Sequence, residues 1–135
     1  WGHAKDYVEG MYRILQQDKP GDYVLATGQT TSIRDFIKMA FAELEVTVEF
    51  KGEAENEIGY VVSNDGPYRQ IELNQQVVRV DSKYYRPTEV DLLVGDASKA
   101  KKELGWEPKY SLKDLISEMV ASDLELFSKP QVITL

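Results

Sequence analysis

The sequence predicts an α/β fold. Helical and strand-like periodicities alternate along the first fifty residues, and turns rich in glycine and proline separate them. The composition, 42% hydrophobic and 29% charged over 135 residues, is that of a globular chain about one domain long. Such a length is expected to bury a single core and not two.

From Ala4 to Leu15 the residues Ala4, Tyr7, Val8, Met11, Tyr12 and Leu15 recur at three- and four-residue spacings, which predicts an amphipathic helix. Asp18-Lys19-Pro20-Gly21 stops it. The β-prone run Asp22 to Thr27 predicts a strand ending at Gly28. Ser32 can cap a second helix, with Asp35 three residues on and a stripe of Ile33, Phe36, Ile37, Ala40, Phe41 and Leu44. Val46, Val48 and Phe50 alternate with Thr47 and Glu49, the period of a half-buried strand.

Gly52 to Gly59 and Asn64-Asp65-Gly66-Pro67 read as loops, with short strands at Tyr60–Val62 and Val77–Val80. Val90 to Val94 is a short apolar run. Asp96 or Ser98 can then cap a helix finished by Lys101, Lys102, Leu104 and Gly105. Ser111 with Asp114 opens the last helix, whose expected core face is Leu112, Leu115, Ile116, Met119, Val120, Leu124 and Phe127, with Pro130 as its stop.

Charge and composition exclude several function classes. A formal net charge of −7 weighs against general binding to nucleic acid or anionic membrane, both of which want a basic face. The chain has no cysteine, so disulfides and thiolate chemistry are out. No apolar run approaches the ~20 residues of a membrane helix and no signal peptide is evident, so a soluble cytoplasmic protein is expected. Trp1 stands where an initiator methionine would, inside a segment that reads as structured, so a piece of something longer is expected.

Most catalytic constellations are missing. Neither G-x-G-x-x-G nor G-x-x-x-x-G-K occurs, so no dinucleotide is expected on this chain alone. No tyrosine is followed four residues later by lysine, and His3 is the single histidine. His3, Asp6 and Glu9 could share a helix face as metal ligands, but a solvated face explains the spacing better, and no metal site is expected. Glu53 to Glu57 lacks the spacing of a calcium loop.

One stretch does gather ligand chemistry: Tyr84-Tyr85-Arg86-Pro87-Thr88-Glu89. Pro87 pushes Arg86 out of the helical region, so its guanidinium leaves a stiffened backbone. That planar fork matches phosphate oxygens two at a time, and the Glu89 carboxylate can accept from hydroxyls such as a ribose diol. Phosphate plus diol suggests a nucleotide. The same residue types also fit an exposed arginine with Glu89 as its ion-pair partner or as a first-turn helix acid. Arg34 is a weaker phosphate candidate, more simply read as a surface residue.

Trp1-Gly2-His3-Ala4-Lys5-Asp6-Tyr7-Val8, Leu25-Ala26-Thr27-Gly28, Tyr84 to Val90, Gly95-Asp96 and Leu104-Gly105-Trp106-Glu107-Pro108 stand in the order and spacing of GDP-mannose 4,6-dehydratases. The resemblance runs from Trp1 to about Lys129. It implies the C-terminal, substrate-binding portion of an extended short-chain dehydrogenase/reductase whose NADP-binding Rossmann core is missing. In that family a Rossmann domain holds NADP, and a Thr, Glu, Tyr and Lys set oxidises C4 of the hexose, removes water across C5 and C6 and returns hydride to C6. None of that set lies here, so the chain alone is expected to be inactive, with no catalytic residue.

The resemblance further implies that Arg86 contacts the GDP diphosphate and Glu89 the ribose hydroxyls. An arginine that the family places shortly before the position of Trp1 is missing. Residues 1–129 would form the nucleotide-sugar-binding portion, with 1–28 packed beside the missing sheet, and 130–135 a tail. Left bare, those apolar faces favour self-association, at roughly 25 cal/mol per Å². The expected partners are GDP-mannose and further copies of the parent enzyme, in GDP-fucose or GDP-rhamnose supply. A non-catalytic nucleotide-sugar-binding or interaction module, and a related GDP-sugar reductase or epimerase, are the alternatives.

Overall fold

A computed structural model describes residues 1–86 and 93–128 of the chain. Among these residues, four α-helices and three strands fall into two compact units, Ser32–Val90 and Trp1–Thr31 with Asp91–Leu135. The mixture of helix and strand agrees with the α/β expectation. Each unit has its own apolar cluster, so the chain makes two small cores where its length suggested one.

The unit Ser32–Val90 carries α2 (Ile33–Ala42) and an antiparallel sheet in the order β1-β2-β3, with β1 Val46–Lys51, β2 Ile58–Asn64 and β3 Gln76–Arg79. Ser32 caps α2 as expected: its hydroxyl accepts from Asp35 N at 3.0 Å and donates to the Asp35 carboxylate at 2.7 Å. Along β1, Val46 and Val48 point inward and Thr47 and Glu49 outward. Val48 faces Val61 of β2, and Phe41, Leu44, Phe50, Ile71 and Val77 close over them. β2 is longer than expected because Gly59, placed in a loop by sequence, pairs with Phe50 and Val78. Beyond β2 the Asn64 amide donates to Tyr68 O and Ile71 O at 2.8 and 2.9 Å, which folds the following loop back on the strand.

The other unit contains α1 (Ala4–Leu15), α3 (Ser98–Leu104) and α4 (Leu112–Ser128). α1 has the expected bounds, with Tyr7 packed on the Trp106 cluster and most of its apolar stripe outward. Its buried residues are Asp6 and Gly10, while Val8, Met11, Tyr12 and Leu15 are each more than half exposed. The reason lies in Trp106, which is fully buried, packs with Ala100 and Leu104, and donates from Nε1 to Asp6 O at 2.7 Å. A side chain at position 10 would collide with Leu25 and Trp106, so glycine is what lets the helix approach.

Several expectations for this unit are corrected. Residues 22–27 form no strand: no ladder partner for them exists among the described residues, and a strand is defined by the neighbour that takes its N–H and C=O groups. Tyr23 and Leu25 instead pack on the Trp106 cluster. Of the expected core face of α4 only Ile116 is buried, and Met119, Leu124 and Phe127 lie exposed. The caps agree better. Gly105 takes the left-handed conformation, φ 62°, that ends α3. Ser111 and Asp114 exchange bonds at the start of α4, whereas neither residue expected to cap α3 is its N-cap: that position is Ala97, and Asp96 just before it accepts from Ser98 N at 2.9 Å. The expected stop at Pro130 and the tail lie outside the described residues.

Candidate functional site

β3 ends at Arg79, and a turn anchored on Asp81 leads from it to Arg86. The Asp81 carbonyl accepts from Tyr84 N and Tyr85 N at 3.0 and 3.1 Å, and its carboxylate accepts from Lys83 N at 3.0 Å. Tyr84 stands well exposed with the Lys83 ammonium 5.3 Å from its ring centre, and Arg86 is exposed just beyond. Two cations and two aromatic rings therefore meet in four residues. Pro87 and Glu89 lie outside the described residues.

Arg34 is engaged elsewhere: its Nε reaches Glu57 Oε1 at 2.5 Å, and that carboxylate raises the guanidinium pKa further. The possible metal face of α1 is also dissolved by partners. His3 Nε2 lies 3.1 Å from Glu118 Oε2, Asp6 accepts from Lys109 N and Tyr110 N at 3.1 and 3.2 Å, and Glu9 pairs with Arg13 and, at 2.7 Å, with Lys109. Among the described residues no group of three acidic, histidine or cysteine side chains could hold a metal ion.

The most elaborate polar site is built around Asp6, which the sequence alone assigns to a solvated helix face. Asp6, 3% exposed, satisfies two backbone N–H groups of the segment before α4, and its own carbonyl takes the Trp106 indole. Arg13 donates to Leu104 O at 3.0 Å and Gly105 O at 2.5 Å, covering carbonyls that α3 leaves open. Lys5 holds Glu118 at 3.1 Å. That hydrogen bond, followed by the one from His3, keeps the Glu118 carboxyl below the usual range. These contacts fasten helices to one another.

The geometry thus defines a class, a mixed α/β portion with an exposed cationic and aromatic segment and with no metal-ligand cluster among the described residues. Similarity makes it specific. A model of the family described as GDP-mannose 4,6 dehydratase matches residues 1–119, and the chain belongs to that family. It is 50% identical over 125 residues to the GDP-mannose 4,6 dehydratase of Dictyostelium discoideum, covering 93% of this chain and 33% of that protein. Against GDP-mannose 4,6 dehydratase 2 of Caenorhabditis elegans the identity is 51% over 126 residues, covering 93% and 30%. Against the GDP-mannose 4,6-dehydratase of Sinorhizobium fredii it is 51% over 124 residues, covering 92% and 33%. The chain spans about a third of the length of these relatives.

Proposed function

We propose that this chain is the C-terminal, substrate-binding portion of a GDP-mannose 4,6-dehydratase, a cytoplasmic lyase that converts GDP-mannose to GDP-4-keto-6-deoxymannose in nucleotide-sugar metabolism. The observation that carries the reading is identity near one half sustained over 93% of the chain to proteins bearing that name. In this reading Arg86 grips the GDP diphosphate and Glu89 accepts from the ribose hydroxyls. The exposed rings of Tyr84 and Tyr85 beside Arg86 support a ligand-facing segment.

In this reading the described helices of this chain do not hold NADP. None of the four described helices opens from a glycine-rich phosphate loop: α1 follows Trp1-Gly2-His3, α2 Thr31-Ser32, α3 Asp96-Ala97 and α4 Tyr110-Ser111. The cofactor would sit on a Rossmann core, of the extended short-chain dehydrogenase/reductase type, in the portion outside these residues. The outward stripe of α1 and the unpaired residues 22–27 would pack beside that core, so the chain alone is inactive. The parent enzyme would be a homo-oligomer.

In the complete enzyme Arg86→Ala should weaken GDP-mannose and GDP binding by about 1.5–3 kcal/mol, the worth of hydrogen bonds to a charged group. Isothermal titration measures this, with NADP as the control ligand. Equal affinity in the variant would take Arg86 out of the clamp, and NADP binding to the 135-residue chain would overturn the division of labour.

A further inference from the structure

His3 is one of two buried polar side chains among the described residues, and its surroundings fix where its proton sits. Nδ1 accepts the Lys5 backbone N–H at 3.1 Å, which makes His3 the N-cap of α1. A nitrogen that accepts an N–H carries no hydrogen, so the ring proton is on Nε2, where it donates to Glu118 Oε2 at 3.1 Å. The ring also stacks on Tyr110, centre to centre 4.3 Å. One imidazole thus touches α1, the segment before α4, and α4 itself.

We propose that His3 is a proton-operated joint between α1 and α4. In the neutral ring both links hold. A second proton can only enter at Nδ1, where it would point at the Lys5 N–H, so the cap breaks while the charged ring stays on Glu118. The helix end adds to this, because the partial positive charge of an N-terminus repels an imidazolium. The proton has an entry: a cleft of about 280 Å³ lined by His3, Leu115, Glu118, Met119 and Asp123 opens beside the ring.

The charged and titratable groups around the ring come from each packed element. α1 supplies the Lys5 ammonium, paired with the same Glu118, and the connecting segment supplies Tyr110. α4 supplies Glu118, Asp123 in the cleft wall, and Asp114, whose carboxyl is held low chiefly by Ser111 and in small part by attraction to His3. Acid therefore loosens the first turn of α1 and leaves its tie to α4 in place.

The test is ¹⁵N-resolved NMR of the 135-residue chain over a pH series that follows the His3 ring nitrogens and the Lys5 amide together. Expected are a neutral ring protonated at Nε2 and a Lys5 amide protection factor that falls about fivefold as the ring titrates, the worth of one N-cap. Glu118 should remain in contact with the ring throughout. In His3→Asn, whose amide oxygen can cap without titrating, Lys5 protection should be independent of pH. A neutral ring protonated at Nδ1, or constant Lys5 protection while the wild-type ring titrates, would overturn the proposal.

Discussion

The two units are held together by different forces. In Ser32–Val90 a sheet and a helix close over Val46, Val48 and Val61, and burial of apolar surface is the main attraction. In the helical unit the apolar cluster is Trp106 with Ala100 and Leu104, and the elements around it are fastened by the bonds of Asp6, Arg13, Glu9 and Glu118. Meanwhile Val8, Met11, Tyr12, Leu15 and Phe127 stand in solvent. The sheet unit also leaves single apolar residues such as Ile33 and Leu73 exposed, but it closes β1 and β2 over a valine core, whereas the helical unit leaves a whole stripe of α1 outward. Hydrophobic periodicity thus reveals that a face is apolar without revealing what covers it.

A matched pair of truncations gives the largest effect and sharpens that contrast. Trp106→Ala should cost the helical unit about 3–5 kcal/mol, and Val48→Ala should cost the sheet unit about 2–3 kcal/mol, from two methyl groups and the cavity they leave. Amide exchange resolved by unit checks both. Equal small losses would mean that Trp106 is not the hub of its cluster.

Acid should act on the helical unit first. Among the described residues the carboxyls held below their usual range are Glu9, Asp96, Glu107, Asp114 and Glu118, and all lie in that unit. Their leading causes are hydrogen bonds from Lys109, Ser98, Lys101, Ser111 and Lys5 respectively. A depressed folded pKa stabilises the fold above the unfolded value, near 4, and that contribution is lost as pH falls through the folded value. Because these groups are solvent-accessible, the effect should be modest and weaken with salt. Amide spectra recorded from about pH 6 to pH 3 should show α1 and α4 loosening before β1 and β2. The reverse order would contradict the contrast.

Much of the fold was legible because it is written locally. Ser32 with Asp35, Ser111 with Asp114, and Gly105 mark helix ends by chemistry within four residues, and the alternation of Val46 to Phe50 marks a strand. What could not be read depends on distant or external partners. Asp6 looks like a solvated helix position until Trp106, a hundred residues away, delivers its indole and the N–H groups beyond it. Residues 22–27 have strand propensity and no strand to join among the described residues. In the candidate site, residue type and the stiffening expected from Pro87 single out Arg86 as a proposed ligand contact, and the structure sets it after the Asp81 turn. Glu89 lies outside the described residues.

The most direct test asks whether the apolar stripe of α1 is surface in this chain. Met11→Lys with Leu15→Lys, made together, should change its unfolding free energy by no more than about 0.5 kcal/mol per site. Light scattering on the same samples should show less self-association than in the wild type. A loss of several kcal/mol would mean that α1 buries this face within the 135 residues, and the open helical unit would be the wrong picture.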